Sequence, residues 1–227
     1  MNTRIERDAL GDMEIPADAY YGIHTARSLQ NFDVAGEILP LEIVHAVVRL
    51  KWACVLANAE LGNLDREKAD SIATACQRVL AGEFDDQFGI DVFQAGSGTS
   101  SNMHVNEVIA NIACEQLGGE KGDYARVHPN DDVNMGQSTN NIIQSGIRIA
   151  ALRLGSDLIA AMDALAAELR GKEDEFQDVL KSGRTHLQDA VPVTLGQEFG
   201  AYARAIEKAR ARIGQAAEGL LELGVGG

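Results

Sequence analysis

Cysteine, proline, aromatic side chains and positive charge are all scarce in this chain. Its three cysteines among 227 residues, Cys54, Cys76 and Cys114, form no C-x-x-C pair and no metal-ligand spacing, which argues against a disulfide framework or a structural zinc. They read as small buried hydrophobes of a reducing cytoplasm. Four prolines and 5% aromatics argue against a barrel or sandwich, which needs many short β-rich runs. Only 20 Lys and Arg stand against 34 Asp and Glu, giving a formal charge of −14 and a pI near 4.7. Nucleic-acid backbones and anionic membrane surfaces would be repelled over most of such a surface. No eighteen apolar residues run together, and Arg4, Glu6, Arg7 and Asp8 leave no apolar leader at the N-terminus, so neither a membrane span nor export is expected. A pocket for an anionic ligand must therefore be positive locally, against the global field.

What is present is helical periodicity. Ile43, Val47, Val48, Leu50, Cys54, Val55, Ala57 and Leu61 predict a helix over 41–61 ending at Gly62, and a second runs from the N-cap Asp65 to Leu80. From Ser138 to Leu180, Ile143, Ile147, Ala150, Leu154, Leu158, Met162, Leu165, Leu169, Phe176 and Leu180 recur in steps of three and four, with one gap. Leu195, Phe199, Tyr202, Ile206, Ala209, Ile213, Ala216, Leu220 and Leu223 alternate steps of four and three, the spacing of a helix seam. Residues 1–40 show no sustained period and read as an irregular arm with room for a small hairpin. The expected fold is mainly α: an irregular or helical N-terminal domain over 1–137, then the start of a long-helix bundle over 138–227.

Three polar clusters interrupt this pattern, each at a helix end. Phe93 to Asn102 places two glycines and four hydroxyl residues before a helix read as Val105 to Leu117; His128 to Asn141 leads into the first long helix; Gly183 to Ala190 forms a polar turn between the two long helices. Each cluster has two readings, a cap that satisfies orphan backbone groups or a set of donors for a ligand. A Gly/Ser/Thr helix start offers free N–H groups and the positive end of the macrodipole to a carboxylate or phosphate. It is neither a P-loop, lacking Lys-Ser/Thr, nor a dinucleotide fingerprint, lacking a preceding strand. His128, Asp131 and Asp132 offer too few oxygens to imply a hard cation. Neutral donors from Thr99, Ser138, Thr139, Asn140 and Thr185, brought together, would bind a carboxylate and stabilise an oxyanion that forms during reaction, typically by ~3 kcal/mol per well-placed donor.

These segments resemble the signatures of the aspartase/fumarase superfamily, and the similarity runs from Pro16–Ala17–Asp18–Ala19–Tyr20–Tyr21–Gly22 to Thr194–Leu195–Gly196–Gln197–Glu198. His128-Pro-Asn-Asp-Asp-Val-Asn and Gly183-Arg-Thr-His-Leu-Gln-Asp-Ala are shared by its ammonia-lyase and fumarase branches. Ala19-Tyr-Tyr-Gly-Ile-His-Thr is similar to the aspartate ammonia-lyases. The resemblance implies reversible anti elimination of ammonia from L-aspartate to give fumarate, with class II fumarate hydratase chemistry as the enzyme alternative and a non-catalytic helical scaffold as the third reading. Carried over by position, Ser97, Gly98, Thr99, Ser138, Thr139, Asn140, Thr185 and His186 bind substrate. Thr185 and His186 are the catalytic candidates, and His128, Asn130 and Asp131 border an accessory carboxylate site. No cofactor or metal ligand is implied, and activation by a divalent cation is not assignable. The implied partners are the small dicarboxylate and other copies of the chain in a homotetramer.

Three departures accompany the match. Asn141 stands where the family motif usually ends in Asp, and His104 where the family usually has Asn. The family's serine base, on a mobile Gly-Ser-Ser loop with a substrate-binding lysine, is expected beyond Gly227, so the chain alone is expected to be catalytically silent. About 40 residues of helix span ~60 Å, so the three clusters are expected to meet only between neighbouring subunits.

Overall fold

The computed structural model describes residues 2–226. In chain order the elements are strands β1 (Thr3–Asp8) and β2 (Gly11–Pro16), helices α1 (Ile23–Asn31), α2 (Leu41–Glu60), α3 (Arg66–Leu80), α4 (Thr99–Gln116) and α5 (Thr139–Glu175), strands β3 (Leu180–Thr185) and β4 (Gln188–Thr194), and helix α6 (Leu195–Glu218). The fold is mainly helical, as expected. Two compact units divide it between Ala150 and Ala151, inside α5, with residues from Leu223 onward belonging to the first.

In the first unit, α4 is wrapped on all sides. Val105, Val108, Ile109, Ile112, Ala113 and Cys114 pack against Val44, Val47, Val48 and Val55 of α2 and Ala69, Ile72, Cys76 and Val79 of α3. Each fully buried Val or Ile contributes ~1.5–3 kcal/mol to folding, so this three-helix core dominates the unit's stability. The Asp65 carboxylate accepts from the Glu67 and Lys68 N–H groups at 3.0 and 3.1 Å, capping α3 as its sequence indicates. The predicted helix over Val105–Leu117 begins six residues earlier: Thr99 to Asn102 is itself the first turn of α4. Ser and Thr are tolerated in a first turn, where orphan N–H groups need no partner one turn back.

The N-terminal arm is more ordered than expected. β1 and β2 pair antiparallel with Thr3 opposite Pro16, and Ile15 is buried against Ala19, Ile23 and Ala26. The unanticipated α1 is nine residues long, too short for the apolar spacing of Ile23 and Ala26 to identify it. Its N-terminus is held instead by two carboxylates from elsewhere: Glu107 of α4 accepts from the N–H groups of Gly22, His24 and Thr25 at 3.0, 2.9 and 3.0 Å, and Glu6 accepts from Ile23 at 2.8 Å. Gly22 is required there because a Cβ would lie 2.8 Å from the Glu107 carboxyl.

In the second unit the polar turn over 183–190 is a β-hairpin. The apolar period expected to run to Leu180 ends with α5 at Glu175, and Leu180 enters β3 opposite Thr194. Periodicity could not separate the two, because a run of three or four residues beyond a helix fits either template. The α6 face pressed most deeply into the unit is Gly196, Gly200 and Ala203 rather than the larger seam residues, with Tyr202 and Ala216 exposed. Small residues permit backbone approach: a Cβ on Gly196 would lie 2.5 Å from the Glu173 carbonyl oxygen. The Thr194 hydroxyl accepts from the Gln197 N–H at 3.1 Å while the Gln197 side chain returns the bond at 3.0 Å, starting α6 with a capping box.

Gly196→Ala is therefore expected to destabilise the second unit by ~1–3 kcal/mol, since the atoms it meets are backbone. Gly214→Ala, where nothing lies within 4 Å, should stabilise by ~0.5–1 kcal/mol. Thermal unfolding followed by circular dichroism checks both, and equal responses would refute the close-approach argument.

Candidate functional site

The site is built from helix starts. Gly98 precedes α4 with φ 76°, a left-handed conformation natural to glycine, and a Cβ there would lie 3.0 Å from Ile143 of α5. As a glycine it offers no side-chain cap of its own, so the first turn of α4 is capped only from outside. The Ser97 and Thr99 hydroxyls bond to one another at 2.9 Å, and Gln94 takes the Ser101 N–H at 2.9 Å. The capping reading of Ser97 and Thr99 is thus set aside, and the first N–H groups of α4, with the half-buried Thr99, remain as donors.

The second cluster adjoins the first. Ser138 precedes α5 and its carbonyl accepts from Asn141 and Ile142, each at 3.0 Å, leaving the N–H groups of Thr139 and Asn140 at the open end of the helix. The two starts are joined directly: the Asn102 amide of α4 donates to the Thr139 hydroxyl at 3.0 Å. Beneath them lies a residue that the sequence reading passed over, Lys51 of α2, fully buried. Its ammonium donates to the side-chain oxygens of Asn102, Asn134 and Gln137 at 2.8, 3.1 and 3.1 Å. Burial draws its pKa down to about 7, and below that pH it is the ammonium, whose three protons match the three oxygens around it. The signal was available, because Val44, Val47, Val48, Lys51 and Val55 share the buried face of one helix.

The other candidates are placed differently. The His128 ring nitrogen Nδ1 accepts from the N–H groups of Asn130 and Asp131 at 3.2 and 3.0 Å, and Asp132 binds the His128 N–H at 2.7 Å and the Lys68 ammonium at 2.9 Å. That run closes its own loop, with Asn130 and Asp131 exposed. No group of three His, Cys, Asp or Glu side chains arranged for a metal occurs among the described residues. Thr185 ends β3 in the second unit, and His186 and Leu187 form the hairpin tip with φ 48° and 61°. A two-residue turn with both φ positive matches the right-handed twist of its strands. Non-glycine residues hold that conformation at a cost of order 1–3 kcal/mol each, a strain that tends to gather at functional positions.

Both substitutions relative to the family pattern have local explanations. The Asn141 amide donates to the Gly226 carbonyl. His104 is buried against Phe88 and Tyr21 with its Nε2 2.7 Å from the Gln87 carbonyl, so the neutral ring donates there and adds no charge to the neighbouring helix start. Burial holds its pKa down at about 4.

A family model described as "Lyase" matches residues 11–227, and the chain belongs to that lyase family. More narrowly it is a member of the fumarase/aspartase superfamily. It is 52% identical over 225 residues to a class II fumarate hydratase of Halobacterium salinarum, covering 99% of this chain and 48% of the relative. It is 48% identical over 232 residues to an aspartate ammonia-lyase of Pseudomonas aeruginosa, covering 100% and 48%. The crystal structure of a fumarate lyase:delta crystallin from Brucella melitensis in native form superposes with a TM-score of 0.93 at 45% identity, over 97% of this chain and 50% of that one. The chain spans about half the length of the curated relatives it matches.

The buried His104 makes stability depend on pH. Its folded pKa, about 4, lies below the ordinary 6.5, so the unfolded chain binds the extra proton and the His104 contribution is lost as pH falls from 6.5 through 4. The loss is roughly 3 kcal/mol at the acid end. His104→Asn should flatten the stability profile over that interval, as urea unfolding at pH 7 and pH 4.5 will register; parallel profiles in the two proteins would contradict the assignment.

Proposed function

We propose that this chain supplies the carboxylate-binding wall of a lyase that forms fumarate by reversible anti elimination from a four-carbon dicarboxylate. The observation that carries the reading is the junction of two helix N-termini through Asn102 and Thr139, with uncharged donors above and the Lys51 ammonium below. Thr99, Ser138, Thr139 and Asn140, with the backbone at Ser97, would hold one carboxylate and the aci-carboxylate that develops when the β-carbon proton leaves, while Gly98, its N–H taken by the Ala95 carbonyl at 2.9 Å, would serve by its left-handed turn. Fixed dipoles aimed at developing charge need no reorganisation during reaction. Thr185 and His186 would approach from another copy of the chain, His186 beside the leaving group or the second carboxylate. His128, Asn130 and Asp131 would border an accessory carboxylate site.

The leaving group is water in the first reading, from malate, because the Halobacterium salinarum relative carries that name at 52% identity. Ammonia from aspartate is the second, favoured by the Ala19–Thr25 stretch. Two of its residues already serve the fold, however: the Tyr20 hydroxyl donates to Glu115 at 2.7 Å and the Gly22 N–H to Glu107. A homotetramer fits the half-exposed Leu154, Leu158 and Leu165 along α5, which a bundle of copies would cover. A cytoplasmic setting accords with the unpaired thiols of Cys54, Cys76 and Cys114.

Fumarate formation from L-malate and L-aspartate, assayed separately on the full-length protein, tests the reading. Malate should give the higher kcat/KM, the reverse order would assign the ammonia-lyase reaction, and no fumarate from either would end the proposal. Thr99→Val and Ser138→Ala should each lower kcat about 10²- to 10³-fold. Leu158→Asp should reduce the sedimenting mass while helicity persists, since an unpaired charge in a covered interface costs several kcal/mol; an unchanged mass would remove α5 from the subunit contact.

A further inference from the structure

The polar groups around Lys51 form a connected set in which one ammonium meets three side-chain oxygens. An ammonium has three protons and no acceptor, so each neighbouring amide must present oxygen to it. Asn134 and Gln137 comply and turn their NH2 groups to the carbonyls of Gln137 at 3.0 Å and Val133 at 2.9 Å. Asn102 complies as well, and its NH2 group then faces the Asn134 oxygen at 3.1 Å and the Thr139 hydroxyl oxygen at 3.0 Å. A hydroxyl oxygen that accepts this bond keeps its own proton for another partner. Thr139 is half-buried at the first position of α5, beside N–H groups that have no carbonyl one turn back.

We propose that Lys51 is a positioning residue, which by fixing the Asn102 amide makes the Thr139 hydroxyl an obligatory donor toward a carboxylate. The inference rests on the reading of Thr139 as a substrate-binding group and adds what sets its polarity. Without Lys51 the Asn102 oxygen loses its charged partner, and only the bond from its NH2 group to the Asn134 oxygen at 3.1 Å opposes a turn of the amide. Once turned, its oxygen takes the Thr139 proton, and the site presents a lone pair where it had presented a donor. The ammonium also lies one amide from the helix start, so it adds positive potential to a site within a strongly acidic protein.

The test is a double-mutant cycle on the full-length protein, reading the affinity of succinate, an unreactive dicarboxylate, by calorimetry. Thr139→Val is expected to weaken binding by about tenfold or more, the usual loss for a hydrogen bond to a charged group. Lys51→Met should cause a comparable loss in the wild-type background and less than about twofold in the Thr139→Val background, because coupled residues are not additive. In the same variant the Asn102 side-chain protons, protected in the wild type by two acceptors, should exchange faster by NMR. Asn102→Asp covers the case in which Lys51→Met does not fold: it keeps an acceptor for Lys51 yet takes the Thr139 proton, and part of its loss should vanish in the Thr139→Val background. Unchanged or absent succinate binding across wild type and Thr139→Val would overturn the reading of Thr139 as a ligand donor. A weakened Thr139→Val with fully additive losses from Lys51→Met or Asn102→Asp would overturn the relay and leave that reading standing.

Discussion

A fully buried ammonium must be surrounded by acceptors, because an isolated charge removed from water is unfavourable by several kcal/mol. Lys51 meets that requirement with three amide oxygens drawn from α4 and from the segment between Asn134 and Gln137. The requirement ties that segment to α2 and α4, and the segment delivers the chain to the start of α5. Core packing places α2, α3 and α4 together and buries Val133 of the 128–138 run, but packing is non-directional. The ammonium adds direction, together with the Asn58 amide on the Met135 carbonyl at 3.1 Å and Lys68 on Asp132 at 2.9 Å, and the donor cluster follows from these contacts.

The same device recurs along α4. Asn102, Glu107 and Asn111 are buried polar residues of one helix, and each binds a different connection. Asn102 reaches the start of α5; Glu107 holds the start of α1; Asn111 accepts from the Gly122 N–H at 2.7 Å and donates to the Tyr20 carbonyl at 2.8 Å. Burial pushes the Glu107 pKa up while its backbone donors oppose the shift. Directed bonds of this kind specify geometry that an apolar interior leaves free. The first unit can therefore position irregular segments with little regular structure of their own.

The second unit is organised differently. Among its described residues the buried side chains are small, and its large apolar residues Leu154, Leu158, Leu165 and Val191 remain substantially exposed. Ion pairs join its helices, Arg170 with Glu207 at 2.8 Å and Arg210 with Asp163 at 3.0 Å, but pairs this exposed contribute little. Two helices and a hairpin of this composition present a surface suited to burial against further helices, which agrees with the bundle reading of the sequence.

The sequence determined the helices whose signals are local: α2 and α3 by apolar period and by the Asp65 cap, the long run of α5 by steps of three and four with its polar start at Ser138, and the body of α4, though its start at Thr99 lies six residues before the expected Val105. The motifs from His128 to Asn141 and from Gly183 to Ala190 carried the superfamily because their identities are specific even where their conformations are not. Tertiary structure alone decided what depends on partners distant in the chain. α1 exists because Glu6 and Glu107 cap it, and neither carboxylate is a neighbour in sequence. The hairpin at 180–194 replaced a helix end because cross-strand bonds outweigh a few residues of period. Lys51 reads locally as one lysine in an apolar helix, and only the fold, by surrounding it with Asn102, Asn134 and Gln137, turns it into the charge beneath the site.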